Sequence, residues 1–425
     1  MKVLLISYLF PPLWEAQSVR WYYLAKELAK MGANIDVLTI FLPFEEKLDL
    51  SNNINTIRIP PGPFESILFK VKFKLEIENN KNTSNKKNPV LRTTFLFKSL
   101  KTIYHINRKI LGSLLLGEIR NEWFFKAKKW IDQNNLNSYQ VIITSHEPMV
   151  DTLLGLYIKK KYPHLLWLAD LGDPLTAPYY PFFWKPVLKK IEKEILKKAD
   201  IVTITNRRLK EKYLSQYKIN PQKILIIPQG FDWNFYLNQN NNLSQNPVFT
   251  LFYAGSFYKK FRDPTELFRA LEEFPYDFRF YLAGRIEKFL PKSSKLKDKI
   301  IYLGVLPHKE VLNWEKKANL LIYIANALED QISGKFFEYL GSKNPILCIT
   351  QNPQFDDEIL SLINNLNIGK TVHNKKEKIL KALLEFYEKF VNNKLNLNHY
   401  NTNLLYKFSW QYYAQKIYKY LITLL

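Results

Sequence analysis

Short apolar runs alternate with longer stretches of helical periodicity along nearly the whole chain, and that alternation predicts an α/β fold. Val3–Ser7 reads as a buried strand. Positions 17–31 place Val19, Tyr22, Tyr23, Leu28 and Ala29 on one helical stripe, with Gly32 as the C-terminal cap. Ile35–Ile40 reads as the next strand. This βαβ opening predicts a parallel sheet covered by helices. Further strands are expected at 54–59, 140–144, 165–169, 201–205 and 224–227, with helices at 185–198 and 207–217. Residues 228–247 are rich in Asn, Gln and Pro and lose the periodicity, so a linker is placed at 231–247. The alternation then restarts. Strands are expected at 248–254, 278–283, 299–303, 319–324, 345–350 and 368–372, and helices at 263–273, 308–317, 334–342, 355–365 and 374–392. The domains expected are therefore 1–230 and 248–405, followed by an amphipathic terminal helix in 406–425. Two doubly wound Rossmann-like domains facing across a cleft bind ligands at the carboxyl ends of their strands, so the loops there are where chemistry is sought.

Composition narrows this picture. The chain has 425 residues, 47% of them apolar and 24% charged, which are globular values. Its one cysteine, Cys348, excludes a disulfide framework and a cysteine zinc site, and fits a reducing compartment. No apolar run is long enough to span a bilayer, and the N-terminus reads as a core strand rather than a signal peptide, so a cytoplasmic protein is expected. The net charge is +23, with 15 Lys and Arg against 4 Asp and Glu in residues 68–130. Phe69, Phe73, Phe95, Phe97, Leu114–Leu116, Trp123–Phe125 and Trp130 run through the same region. Either this basic aromatic insert, about 64–130, meets an anionic membrane surface, or it is a solvated lysine face over an ordinary core. No motif for nucleic-acid binding is present, and nucleic acid is not expected as a partner.

Four loops carry candidate chemistry. In Glu329–Leu340, Gly334 opens a helix after a strand, where free N–H groups and the helix dipole attract anions. Lys335 adds positive charge, and Glu338 stands one turn inside, placed to accept two ribose hydroxyls. Asp330 lies eight positions before Glu338, placed for the hydroxyls of another sugar. On spacing alone the alternative is Ser333 as an N-cap and Glu338 as a solvated helix acid. In the second loop Gly255 permits a tight turn before Ser256, Lys260 and Arg262 are cations suited to a diphosphate, and Asp263-Pro264 opens a helix. The first strand ends in a loop without dinucleotide-fingerprint glycines, where Glu15, Ala16 and Gln17 precede Arg20, either a phosphate or carboxylate ligand or a surface cation. The fourth group follows the middle strands. His146 in Ser-His-Glu-Pro is either a sugar-site residue or a satisfied structural histidine, and Asp170 and Asp173 are acids or turn caps. No hydrolase triad, HExxH or D-x-D pattern occurs, so no metal or other cofactor is expected.

Taken together these loops resemble the retaining glycosyltransferases of the two-Rossmann-domain (GT-B) architecture, in particular the large group-1 family, glycosyltransferase family 4. The resemblance covers the whole chain and is strongest in GKFFEYLGSKNPIL at 334–347, with PPLWEAQSVRWYYLAKELAKMGANIDVLT at 11–39 and YAGSFYKKFRDP at 253–264 also similar. FDWNFY at 231–236 and Phe408-Ser409-Trp410 fit the same pattern. Departures are Asp330 where Glu is usual, Glu15-Ala16 where paired glycines are usual, and Ser256 where Arg is common; the usual downstream Lys aligns on Phe261.

The resemblance implies a nucleoside-diphosphate-sugar donor. Gly255, Ser256, Val305, Ser333, Gly334, Lys335 and Glu338 would bind it, and His146, Asp330, Lys260 and Arg262 would take the catalytic positions. Glu15, Ala16, Gln17, Arg20 and Asp173 would face a glycan or lipid-linked acceptor. It also implies retention of anomeric configuration, with the leaving phosphate accepting the acceptor's proton, a role in cell-envelope polysaccharide or glycolipid synthesis, and a terminal helix returning to the N-terminal domain. A nucleotide-sugar epimerase of the same architecture and a non-catalytic sugar-nucleotide binder are the alternatives.

Overall fold

A computed structural model describes residues 1–42, 49–67, 112–177, 180–237, 247–259, 261–326, 332–351, 357–395 and 402–425. The chain divides into two units, one of residues 1–226 with 418–425, the other of residues 227–417.

The first unit holds a seven-stranded parallel sheet in the order β3-β2-β1-β4-β5-β6-β7. Its strands are β1 (Lys2–Ile6), β2 (Asn34–Ile40), β3 (Ile54–Ile59), β4 (Val141–His146), β5 (Leu166–Leu171), β6 (Ile201–Ile204) and β7 (Ile224–Ile226). The helices are α1 (Ala16–Lys30), α2 (Trp123–Gln133), α3 (Val150–Lys161), α4 (Lys185–Lys198) and α5 (Arg207–Gln216). Nearly every residue of β1, β4, β5 and β6 is buried, as expected of a sheet covered on both faces. Helices α2 and α3 are absent from the sequence-based expectation. In α3 the packing explains its place: Gly155 lies flat on the Trp167 indole of β5, where a Cβ would come within 2.6 Å of the ring.

The second unit holds a six-stranded parallel sheet in the order β10-β9-β8-β11-β12-β13. The strands are β8 (Phe249–Ala254), β9 (Phe278–Ala283), β10 (Ile300–Gly304), β11 (Leu320–Ile324), β12 (Ile346–Thr350) and β13 (Gly369–His373). The helices are α6 (Trp233–Leu237), α7 (Thr265–Glu273), α8 (His308–Lys317), α9 (Gly334–Ser342), α10 (Asp357–Leu366), α11 (Lys376–Val391) and α12 (Thr402–Tyr406). The period of two is visible in β8: Phe249, Leu251 and Tyr253 enter one core, and Phe252 and Ala254 the other. The last helix, α13 (Trp410–Leu424), is divided, and its residues from Tyr418 onward group with the first unit. There Leu421 is buried and the Tyr420 hydroxyl donates to the Gln222 carbonyl.

Each sheet reverses its strand order once, between β1 and β4 and between β8 and β11, so each unit is doubly wound. The fold class expected from the pattern is the one observed. One expectation is corrected: residues 231–237 are not linker. Phe231 and Tyr236 are buried in the core of the second unit, and their rings leave no room for a Cβ at Gly341 of α9. The Asn-rich surroundings disguise two core aromatics. Residues 238–246 of the expected linker lie outside the described residues.

Candidate functional site

Each unit gathers candidate residues at the carboxyl edge of its own sheet. In the second unit three neighbouring strands end in glycine. Gly255, Gly284 and Gly304 have φ of +148°, +120° and +75°. A Cβ on Gly284 would fall 1.9 Å from the Gly255 carbonyl oxygen, so the backbones approach as only glycine allows. The Gly255 N–H donates to the Ala283 carbonyl at 2.9 Å, and the Gly284 N–H to the Gly304 carbonyl at 2.8 Å. The sequence reading found Gly255 and missed the other two, although Ala-Gly and Leu-Gly directly after apolar runs were the signal.

The loop after β8 is tied down. The Ser256 carbonyl accepts from the Tyr253 hydroxyl at 3.1 Å and from Arg262 at 3.3 Å. Arg262 Nε also donates to Asn326 Oδ1 at 3.1 Å, at the end of β11. Arg262 thereby bridges the two loops at the point where the strand order reverses. Asp263 accepts from the Thr265 N–H at 3.0 Å while Pro264 takes the cap position, so α7 begins one residue later than expected. Lys260 lies outside the described residues.

The start of α9 holds the densest charge arrangement. Ser333 occupies the cap position without a side-chain cap bond, and its N–H donates to the Tyr323 hydroxyl at 3.3 Å. The N–H groups of Gly334 and Lys335 have no hydrogen-bond partner among the described residues. Such groups, with the helix dipole, attract an anion. Lys335 Nζ lies 2.5 Å from Glu338 Oε2, and His308 Nε2 lies 2.8 Å from Glu338 Oε1. A carboxylate only accepts, so the His308 nitrogen facing it carries the hydrogen. Burial works to raise the Glu338 carboxyl, but Lys335 and His308 outweigh it and hold it down to about 2. Its remaining lone pairs can still accept from two donors. Beneath it, Glu315 is fully buried. Burial and the Glu338 charge push its carboxyl well above the usual range. The Tyr236 hydroxyl lies 3.2 Å from both Glu315 Oε2 and the Glu338 carbonyl. The carboxyls of two neighbouring acids are thus shifted in opposite directions. Sequence reasoning named Lys335 and Glu338 and missed His308 and Glu315; His308 opens α8 three residues after the exposed Val305. Asp330 lies outside the described residues.

In the first unit the loop after β1 meets the ends of β4 and β5. Gln17 Nε2 donates to the His146 carbonyl at 2.5 Å, and Gly172 makes room for it, since a Cβ there would fall 2.0 Å from that nitrogen. His146 is fully buried and both its ring nitrogens lack partners, as do Gln17 Oε1, Ser18 Oγ and Ser145 Oγ. Burial lowers the His146 pKa to about 4 against the opposing pull of Asp170, so its imidazole is neutral at pH 7. Buried polar atoms left unpaired in one place mark where a ligand or water would bond.

Arg20 is neither a surface cation nor directed outward. It is fully buried and pairs with Asp170 through Nε–Oδ2 and Nη2–Oδ1, both at 2.9 Å. Trp21 and Thr203 donate to the same carboxylate at 2.8 and 2.6 Å. Asp170 is therefore the acceptor of an internal network rather than a turn cap. Ala16 opens α1 exposed, and Glu15 before it reaches Arg120 at 3.5 Å. Asp173 is half-buried in the turn after β5.

A second acidic group in this unit escaped the sequence reading. Glu122 accepts from the Phe64 and Glu65 N–H groups at 3.1 and 2.5 Å, which its approach over Gly62 permits. Glu65 beside it is buried. Burial, aided by Glu122 and Glu118 and opposed by Tyr8 and Arg120, pushes its carboxyl up to about 7.

No family model and no curated protein matches the chain. Solved structures match over its full length. HepE of Anabaena, in complex with UDP and glucose, has a TM-score of 0.64 at 12% identity and covers 100% of both chains. A glycosyltransferase from Rickettsia africae ESF-5 has a TM-score of 0.60 at 17% identity, covering 99% of this chain and 98% of its own. WaaG, a glycosyltransferase involved in lipopolysaccharide biosynthesis, has a TM-score of 0.59 at 12% identity and covers 99% of both. At these identities the likeness establishes the fold, and the chain has the two-Rossmann-unit GT-B architecture.

Proposed function

We propose that this protein is a retaining glycosyltransferase that moves a sugar from a nucleoside diphosphate sugar to a glycan or lipid-linked acceptor, in the synthesis of cell-envelope polysaccharide or glycolipid. The observation that carries the reading is the ionised Glu338, held between Lys335 and His308 at the anion-attracting start of α9. Solved structures of the same fold support it, since HepE has been seen with UDP, with UDP and glucose, and with UDP-glucose.

In this reading the second unit binds the donor. Glu338 accepts the ribose hydroxyls, and the Gly334 and Lys335 N–H groups with the Lys335 ammonium hold the diphosphate. Gly255, Ser256 and Val305 line the donor, and Arg262 and Lys260 stabilise the charge that develops on the leaving diphosphate. Stabilisation of this kind is usually the largest catalytic contribution, one lost donor costing on the order of 10²–10³ in rate. Asp330 holds sugar hydroxyls. The first unit takes the acceptor at Glu15, Ala16, Gln17 and Asp173, and neutral His146 orients the sugar by hydrogen bonding. The bond from the anomeric carbon to the diphosphate breaks, the acceptor oxygen bonds on the same face, and its proton passes to the departing phosphate. The reading assigns no step to a metal ion and places the reaction on the cytoplasmic side.

Product analysis tests it. The protein is incubated with UDP-, GDP-, ADP- and dTDP-sugars, with and without a detergent extract of glycolipids. The expected result is release of one nucleoside diphosphate and transfer of its sugar with the donor's anomeric configuration, read by NMR. Inverted product would overturn retention. A sugar nucleotide epimerised with no acceptor present would overturn transfer.

A further inference from the structure

We propose that the turn Phe182–Trp184 and the lysine face of α4 form a docking surface for an anionic lipid bilayer. Phe182 and Phe183 are 79% and 52% exposed, with their rings packed edge to face at 5.8 Å. Trp184 Nε1 donates to the Ser113 carbonyl at 2.6 Å, which brings Leu114, 72% exposed, into the same neighbourhood. Val187 in the first turn of α4 is exposed as well. Large apolar side chains gathered in the open mark an interaction site.

The helix that follows is cationic. Lys189, Lys190, Lys193 and Lys197 are all exposed, and at 100° per residue they fall within about 100° of one another. None of the four pairs with a carboxylate among the described residues. Of the two acids on the helix, Glu194 pairs with Lys198 at 3.2 Å and Glu192 is buried.

A wedge of Phe, Leu and Val beside a cationic stripe matches a bilayer surface, where aromatic and aliphatic side chains enter the headgroup boundary and lysines meet lipid phosphate. The wedge presents aliphatic Leu114 and Val187 as well as the Phe rings, which favours lipid over nucleic acid. No helix among the described residues is long and apolar enough to cross a membrane, so the contact is peripheral. The surface differs from the basic insert as a whole, of which residues 68–111 lie outside the described residues. It does share the carboxyl edge of the sheet with Gln17 and His146, because the turn leads from β5 into the start of α4. That edge would face an acceptor carried in the bilayer; this consequence rests on the transfer reading, whereas the surface itself does not.

Co-sedimentation with vesicles tests the proposal on the full chain. The probes are vesicles of equal phosphatidylglycerol and phosphatidylcholine, and vesicles of phosphatidylcholine alone. Binding is expected to the anionic vesicles only, and to fall at high salt. Phe182→Ser with Phe183→Ser should abolish it. Each neutralised lysine should weaken it about fivefold, so Lys189→Gln, Lys190→Gln and Lys193→Gln together should weaken it about 100-fold. Thermal melting establishes that these surface variants fold, and sugar-nucleotide binding, read separately, should be unchanged in them. No binding to anionic vesicles, or binding that these variants leave intact, would overturn the proposal. So would variants that instead abolish single-stranded RNA binding or self-association of a chain that ignores vesicles.

Discussion

Glu338 and Glu315 illustrate how burial and partners decide the state of a carboxyl. Both are largely buried, yet Glu338 has two cationic or hydrogen-donating partners while Glu315 has one oxygen without any. Glu65 belongs with Glu315, and its state is measurable. Its folded pKa of about 7 lies above the ordinary 4.5, so the folded protein holds the proton longer than the unfolded chain. The stability it contributes is therefore full below pH 4.5 and is lost as pH rises through 7, on the order of 3 kcal/mol. Thermal melts at pH 5 and pH 8 should show Glu65→Gln losing less stability than wild type over that interval. An equal loss in both would refute this. At this scale the sequence was least informative. Lys335 and Glu338 were readable from their place at a helix start, but His308 reaches them from 30 positions away and Asp170 claims Arg20 from 150 positions away. No local spacing carries such pairings.

Strands and the helices between them were far more legible. The thirteen strands among the described residues lie within two residues of their expected ends, because apolar runs in a sheet covered on both faces are continuous and sharply bounded. Four of the described helices were missed: α3 carries aliphatic residues on several sides, which blurs the helical period, α6 and α12 are only five residues long, and α2 keeps a clear apolar face that the sequence reading passed over. The glycine-ended strands of the second unit give an element-level prediction. Gly284→Ala would strain a φ of +120° and drive a Cβ into the Gly255 carbonyl. The expected cost is on the order of 2–3 kcal/mol, together with weakened sugar-nucleotide binding, because the Gly255 loop must move. Denaturant melts and ligand titration check both, and an unchanged midpoint would mean the close approach is relieved elsewhere.

For the whole molecule, the two doubly wound units follow from the restart of alternation after residue 247, but their borders do not. The boundary falls at residue 226 because Phe231 and Tyr236 are anchored beneath α9, and the end of the chain groups with the first unit. Removing Tyr418–Leu425 should therefore destabilise the first unit by about 2–3 kcal/mol, the worth of one buried leucine such as Leu421. A truncated chain with an unchanged melt would contradict that. The central claim is that the start of α9 binds a sugar nucleotide. Thermal-shift measurement with UDP-, GDP-, ADP- and dTDP-sugars, on wild type and Glu338→Ala, tests it most directly. A ligand at about 100 times its dissociation constant should stabilise the wild type by roughly 2.7 kcal/mol. The account predicts that stabilisation for the sugars of one nucleotide and its loss in Glu338→Ala; no shift with any donor, or a shift the variant retains, would contradict it.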